Sequence, residues 1–170
     1  LTGATSPVTL AGTLVQLTAE NLSGIVIHQL AHPGSPIIFG GSPSAFDMRK
    51  GTTPMGAMET MMINAAYVQI GKHLGLPTHS YLGLSDAKIV DGQAGLETGM
   101  GALIAAQAGA NVISGPGMLD FESCQSLEKL VLDNEICGMA LRMVRGIEAR
   151  GDRLGGDLYG DIHDGKHFLT

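Results

Sequence analysis

Apolar residues recur at helical spacing near the start of the chain and predict a first helix over residues 8–31. The Ser6-Pro7 pair offers a side-chain cap followed by a proline at the first helical position, and His32-Pro33-Gly34 is typical of a helix end. The apolar positions that define the helix are Leu10, Leu14, Leu17, Leu22, Ile25 and Leu30.

The same sequence of helix, turn and short apolar run then repeats along the chain. Further helices are predicted over residues 54–73, with Thr53 as the cap, and over residues 93–108 and 122–148. Short buried strands are predicted over residues 36–40, 78–83 and 111–115, and another strand-like run begins at residue 167.

This alternation predicts an α/β fold with a parallel sheet. The strands are apolar throughout, as parallel strands covered by helices are, and no hairpin turn chemistry separates them. A doubly wound sheet gives the same alternation, but the long polar loops after the strands favour a barrel. We therefore expect about half of a TIM (β/α)8 barrel, with residues 1–170 forming a single partial domain of a longer polypeptide.

The charge balance excludes some classes of partner. A net charge of -6 and a pI near 5.4 argue against a nucleic-acid binder or an anionic membrane surface. The apolar segments are interrupted by Thr, Gln, Asn or His, so none is predicted to span a membrane. Cys124 and Cys137 fall in one predicted helix, about 20 Å apart along its axis, which is too far for a disulfide. These features predict a cytoplasmic protein.

In a barrel the chemistry lies in the loops that follow the strands. The longest such loop covers residues 41–51 and contains Phe46 and Asp47. Asp47 could bind a substrate beside its aromatic neighbour, or it could pair with Arg49 or cap a turn.

The loop over residues 84–93 carries the densest set of polar side chains. Asp86, Lys88, Asp91 and Gln93 lie in it, and Glu97 follows one helical turn later. Carboxylates at a barrel mouth could bind a cation or move a proton. The alternatives are a simple Asp86–Lys88 salt bridge and an N-cap role for Asp91.

Other motifs give weaker signals. Gly115-Pro116-Gly117 could hold an anion with backbone N–H groups, although close backbone packing explains the glycines as well. The histidines are scattered, His163 and His167 do not suggest a metal site, and no metal is predicted.

Several segments, spread over almost the whole chain, are characteristic as a set. They are GATSPVTLAG at residues 3–12, FDMR at 46–49, SDAK at 85–88, DGQAG at 91–95, GAN at 109–111 running to GML at 117–119, and GKHFLT at 165–170. Together they resemble the trimethylamine methyltransferase superfamily.

The resemblance implies a longer TIM barrel, of which this chain would be a C-terminal portion. It implies methyl transfer from a small methylated amine to the cobalt of a corrinoid, cobalamin, on a separate partner protein, with no tightly bound cofactor, and it suggests a homo-oligomer. Archaeal trimethylamine enzymes of this family carry pyrrolysine, expected near residues 88–91. Every residue here is standard, which points to the branch that acts on quaternary amines such as glycine betaine.

A quaternary ammonium suits carboxylates and aromatic faces. We expect catalytic roles for Asp86 and Lys88. The candidate substrate-binding residues are Phe46, Asp47, Tyr81, Asp91, Gln93 and Glu97. Since the chain has no Trp, aromatic faces must come from Phe39, Phe46, Tyr81 or Phe121, or from the missing part.

Two other classes remain open from the residues alone. One is a different barrel enzyme, an isomerase or aldolase, in which residues 115–117 hold phosphate and Lys88 forms a Schiff base. The other is a non-catalytic fragment that folds only by assembly with a second copy or with the missing part, because its sheet edges need cover.

Overall fold

The computed structural model describes residues 1–150 and 156–159. These residues form the helices α1 (Leu10–Ala31), α2 (Met58–His73), α3 (Gly92–Gln107), α4 (Leu127–Arg145) and α5 (Gly156–Tyr159). The short strands are β1 (His79–Ser80), β2 (Val112–Ile113), β3 (Met118–Leu119) and β4 (Cys124–Gln125). The predicted run from residue 167, the GKHFLT segment and the histidines at 163 and 167 lie outside the described residues.

The first helix begins later than predicted because its cap is Thr9. The Thr9 side chain accepts a hydrogen bond from the Gly12 amide at 3.2 Å, so the predicted Ser6 cap is wrong. Ser6 instead shares a 2.9 Å hydrogen bond with Thr13, which is buried. The helix end at Ala31 agrees with the prediction.

Much of the apolar surface of α1 is uncovered. Its exposed apolar side chains are Val15, Leu22, Val26, Ile27 and Leu30. Among the described helices, α1 alone is long and apolar enough, by length and composition, to cross a membrane. Its most apolar stretch has a mean hydropathy of 1.3, and 6% of that stretch is buried. The core helix of a soluble protein and a signal sequence pass the same test, so the expectation that no segment spans a membrane stays a prediction.

The parallel sheet is present where it was predicted. β1 pairs with β2 in parallel, His79 opposite Val112, with α3 between them in the chain. Phe39 lies on the strand-like segment that precedes α2, and a parallel bridge joins it to Thr78, directly before β1. The described residues thus contain three neighbouring parallel segments separated by helices. Such a set is common to barrels and open sheets, and the half-barrel stays a prediction.

The region after β2 differs from the prediction. β3 and β4 form an antiparallel hairpin with Leu119 opposite Cys124, so the predicted absence of hairpins is wrong. The helix predicted from residue 122 begins at Leu127. Cys124 therefore lies in a strand rather than in the helix of Cys137, and both thiols are free.

The hairpin turn explains the difference. Asp120, Phe121 and Glu122 have φ angles of 51°, 54° and 71°, a left-handed conformation that a continuing helix cannot contain. Ser126 then caps α4, because its side chain accepts a hydrogen bond from the Lys129 amide at 3.2 Å. The chain thus turns back before it enters the helix.

A buried ion pair fixes this hairpin to the two helices behind it. Lys129 and Asp133 on α4 are both 0% exposed, and the ammonium donates to Asp133 Oδ2 at 2.5 Å. The Lys129 ammonium also donates to Thr98 on α3 at 2.7 Å. Asp133 Oδ2 accepts a further hydrogen bond from the Gly117 amide at 2.6 Å. The two charged groups of this pair therefore link α3, α4 and the chain that enters β3.

Candidate active site

Asp86 lies at the centre of the candidate site, against the start of α2. Its Oδ1 accepts from the Met55 amide and its Oδ2 from the Gly56 amide, each at 2.9 Å. The helix begins without a side-chain cap from its own Ala57, and the predicted Thr53 cap is wrong. The carboxylate of Asp86 accepts from the amides that lead into this helix, although its loop lies about thirty residues later in the chain.

Burial dominates the electrostatics of this carboxyl. Asp86 is 8% exposed, and desolvation raises its pKa above the ordinary value. The amides of Gly56 and Met55 lower it, Glu97 raises it further, and Lys88 lowers it. The net shift is upward, so Asp86 holds a proton more readily than an exposed aspartate.

Glu97 organises the loop that presents Asp86. Its Oε2 accepts from the Ser85 hydroxyl at 2.6 Å and from the Asp86 amide at 2.8 Å. Its Oε1 accepts from the Gln93 side chain at 2.9 Å. A Cβ on Gly56 would come within 2.5 Å of the Glu97 carboxylate, which explains the glycine there. Glu97 is therefore brought to Asp86, whereas Gln93 reaches this group only through its exposed hydrogen bond to Glu97.

Asp91 does not join this group of side chains. It is the N-cap of α3, and its Oδ1 accepts a hydrogen bond from the Ala94 amide at 3.0 Å. This contact is the capping alternative weighed from the sequence.

Lys88 turns away from Asp86 toward the hairpin. Its ammonium forms an ion pair with Asp120 and lies 4.4 Å from the centroid of the Phe121 ring. The simple Asp86–Lys88 bridge considered from the sequence is thus replaced by a contact between two loops. The Asp120 amide also donates to the Ala87 carbonyl at 3.0 Å, which ties the hairpin to the loop that carries Lys88.

Tyr81 and Glu122 complete the cluster. The Tyr81 hydroxyl donates to the Met118 sulfur at 3.0 Å, and its pKa is raised by burial and then by the charge of Glu122. The pKa of Glu122 is raised by burial and then by the charge of Asp86. Glu122 is thus coupled both to Tyr81 and to Asp86, while its own side chain is exposed at the surface. We call Tyr81, Asp86, Lys88, Asp120, Phe121 and Glu122 the mouth cluster.

Sequence reasoning missed Glu122 and gave Asp120 no role. Asp120 was placed at the end of the loop over residues 115–120, and Glu122 was taken as the first residue of the helix predicted over residues 122–148. The signal that could have placed them is Ser126, because Ser before an apolar residue with Glu in the first turn is typical of a helix start. That start leaves residues 120–125 for a turn and a strand.

Phe46 and Asp47 lie in a different environment. Asp47 Oδ1 accepts from the amides of Arg49 at 2.9 Å and Lys50 at 3.3 Å, which is the turn-capping alternative. Both residues line a cavity of about 370 Å³ near the starts of α1 and α2. The described contacts connect them to Thr2, Thr52 and this cavity. Phe39 is 1% exposed and packs on Tyr67 with ring centroids 4.5 Å apart, so it belongs to the core.

The glycines of residues 115–117 serve close packing. A Cβ on Gly115 would come within 2.3 Å of the Leu82 carbonyl oxygen. The Gly117 amide is already donated to Asp133. These contacts support the packing interpretation, and the Gly117 amide is not free to bind a phosphate. In residues 1–150 and 156–159, no three His, Cys, Asp or Glu side chains are grouped to hold a metal ion.

Comparison with known proteins places the chain in a family. All of residues 1–170 match the trimethylamine methyltransferase family. A trimethylamine methyltransferase of Methanosarcina barkeri is 43% identical over 170 residues, and a glycine betaine methyltransferase of Desulfitobacterium hafniense is 37% identical over 171 residues. These matches cover 100% of the chain but 34% and 36% of the two relatives. The chain thus spans about a third of their length, and it belongs to the trimethylamine methyltransferase family.

Proposed function

We propose that the protein containing this chain transfers a methyl group from a methylated amine to a corrinoid protein. The family supports a methyltransferase acting on methylated amines, since its similar members are named for trimethylamine and for glycine betaine. The observation that carries the proposal within this chain is the mouth cluster. It gathers carboxylates and aromatic rings, which are the groups that attract an ammonium ion.

A quaternary amine such as glycine betaine is the substrate we favour. When its C–N bond breaks, the nitrogen keeps the bonding electrons and leaves as a neutral tertiary amine. The reduced cobalt of the partner's corrinoid supplies the electron pair that forms the new bond to the methyl carbon. No proton has to be delivered to the leaving nitrogen, so the protein's contribution is to bind, orient and exclude water.

The residues of this chain are suited to those tasks. The Asp86 carboxylate is buried and accepts hydrogen bonds from two backbone amides, so its position is fixed. Glu122 adds a second carboxylate within its electrostatic reach. A positive ammonium placed between them would offset their mutual repulsion and would lower both pKa values on binding.

Charge-removing variants of the intact protein test this role. Asp86→Asn and Glu122→Gln are each expected to weaken glycine betaine binding about tenfold, because each removes an attractive charge from a partly desolvated site. Glu20→Gln, on α1 and hydrogen-bonded to Gln16, is the matched control and is expected to bind normally. Circular dichroism verifies that each variant is folded, and Glu122→Gln carries the test if Asp86→Asn disturbs the start of α2.

Binding is measured by isothermal titration with glycine betaine and with trimethylamine. Methyl transfer to reduced cobalamin, and then to the candidate corrinoid protein, is followed by absorbance. Unchanged dissociation constants in both folded variants would remove the charge role. Transfer from trimethylamine but not from glycine betaine would overturn the preference for a quaternary substrate.

A further inference from the structure

We propose that Asp120 and Phe121 form an ammonium subsite, and that Lys88 fills this subsite until the substrate's ammonium displaces it. The inference rests on the proposed function and deepens it, since it names the groups that bind the cation and the residue that competes for them. It assigns Lys88 a role different from the catalytic one predicted from the sequence.

The first support is the geometry around the Lys88 ammonium. It lies 4.4 Å from the centroid of Phe121 and pairs with the Asp120 carboxylate. A cation within about 6 Å of a ring face is attracted by the ring quadrupole. An aromatic face beside a carboxylate is the environment that a methylated ammonium requires. The side-chain ammonium of Lys88 lies in this environment.

The second support is that the subsite is held rigidly while its occupant is not. Asp120, Phe121 and Glu122 all have positive φ angles, a conformation that costs on the order of 1 kcal/mol or more per residue and persists only where neighbouring contacts impose it. The Asp120 amide donates to the Ala87 carbonyl at 3.0 Å, and the Ser123 amide donates to the Asp120 carbonyl at 2.9 Å. Leu119, directly before the turn, is 3% exposed.

Lys88, by contrast, can leave without disturbing the fold. Its side chain is 63% exposed, and a lysine has a long stem with several rotatable bonds. The backbone tie between Ala87 and Asp120 holds the two loops together whether or not the ammonium is in place. Substrate binding can therefore exchange one cation for another at the same ring and carboxylate.

The third support is the position of the turn. Glu122 follows Phe121 directly and is electrostatically coupled to Asp86. A substrate ammonium over Phe121 would thus lie one residue along the turn from Glu122, the second carboxylate of the proposed function. A competing lysine also gives selectivity, because a ligand must present a cationic ammonium group to replace it, and molecules of the same shape that lack such a group do not.

The experiment measures binding of tetramethylammonium to the intact protein by isothermal titration, since this cation has no carboxylate of its own. Lys88→Met keeps the stem and removes the charge, and it is expected to tighten binding about tenfold. Phe121→Leu is expected to weaken binding in both the parent and the Lys88→Met background. Lys50→Met, on the exposed loop before α2, is the matched control and is expected to have no effect.

A second readout separates competition from catalysis. With glycine betaine as the methyl donor, Lys88→Met is expected to lower KM, because the substrate ammonium no longer has to displace a cation from the subsite. Equal or weaker tetramethylammonium binding by Lys88→Met overturns the proposal, as does a loss of kcat with unchanged KM. If no methylated amine donates a methyl group, yet Lys88→Met still tightens tetramethylammonium binding, the subsite stands and the proposed function fails.

Discussion

The buried ion pair on α4 gives the sharpest stability prediction. In Lys129→Met the Asp133 carboxylate loses its counter-ion while remaining 0% exposed. Its Oδ2 keeps the Gly117 amide at 2.6 Å, and its Oδ1 has no hydrogen-bond partner among the described residues. Breaking a buried pair in this way costs about 3–5 kcal/mol, because a charge is left desolvated without compensation.

Urea unfolding of the intact protein, followed by circular dichroism, measures this loss. With an m-value of about 2 kcal/mol per M, the single variant should unfold about 2 M earlier than the parent. The double variant Lys129→Met/Asp133→Leu removes both charges and should recover part of the loss. Recovery is incomplete because the Gly117 amide then lacks its acceptor, which costs about 1–3 kcal/mol.

The control is Arg150→Met, which breaks the exposed pair between Arg150 and Glu148 and should leave the midpoint unchanged. A shift of less than about 0.5 M for Lys129→Met would refute the reasoning. So would a double variant less stable than the single one, because desolvation of Asp133 would then not be the main cost.

Three further substitutions test close packing in the sheet and a buried phenol on α2. Gly115→Ala should cost about 1–3 kcal/mol in urea unfolding because its Cβ would meet the Leu82 carbonyl, whereas Gly95→Ala, with open space around it, should be neutral or stabilising. Tyr67→Phe removes the 3.0 Å hydrogen bond to the Gly40 carbonyl and should cost about 1 kcal/mol at pH 7. Burial raises the pKa of Tyr67, so the unfolded phenol loses its proton first and stability falls as pH rises above about 10. Unfolding at pH 7 and pH 11 should show a smaller fall in Tyr67→Phe, and an equal fall would contradict this cause.

The helices were the most predictable part of the fold. The predicted bounds of the first three agree with α1, α2 and α3 within a few residues, because apolar spacing reports directly on a helix face. Caps were less predictable, since they depend on which hydroxyl or carboxylate reaches the free amides. The amides before α2 are bound by Asp86, and no local pattern near Thr53 contains that information.

The candidate site was predicted in part. The loop that carries Asp86 and Lys88, with Glu97 on the helix after it, was selected because its charged side chains follow a predicted buried strand. The partners of Asp86 and Lys88 were not predicted, because they come from distant segments, the one before α2 and the hairpin turn. Lys88 was considered as a partner of Asp86 but pairs with Asp120, and a sequence cannot reveal that choice while the hairpin is taken for a helix.

The hairpin was missed because tertiary contacts override local preference there. Left-handed turns ordinarily use Gly or Asn, yet Asp120, Phe121 and Glu122 adopt this conformation with full side chains. Their strain is offset by the tie to Ala87 and by the anchoring of Gly117 to the buried pair on α4. The buried pair on α4 therefore also anchors the segment that leads into the turn of Asp120, Phe121 and Glu122. A glycine-rich turn would be less strained, but it would supply neither the ring nor the carboxylates, so the strain is tolerated where the proposed chemistry needs those side chains.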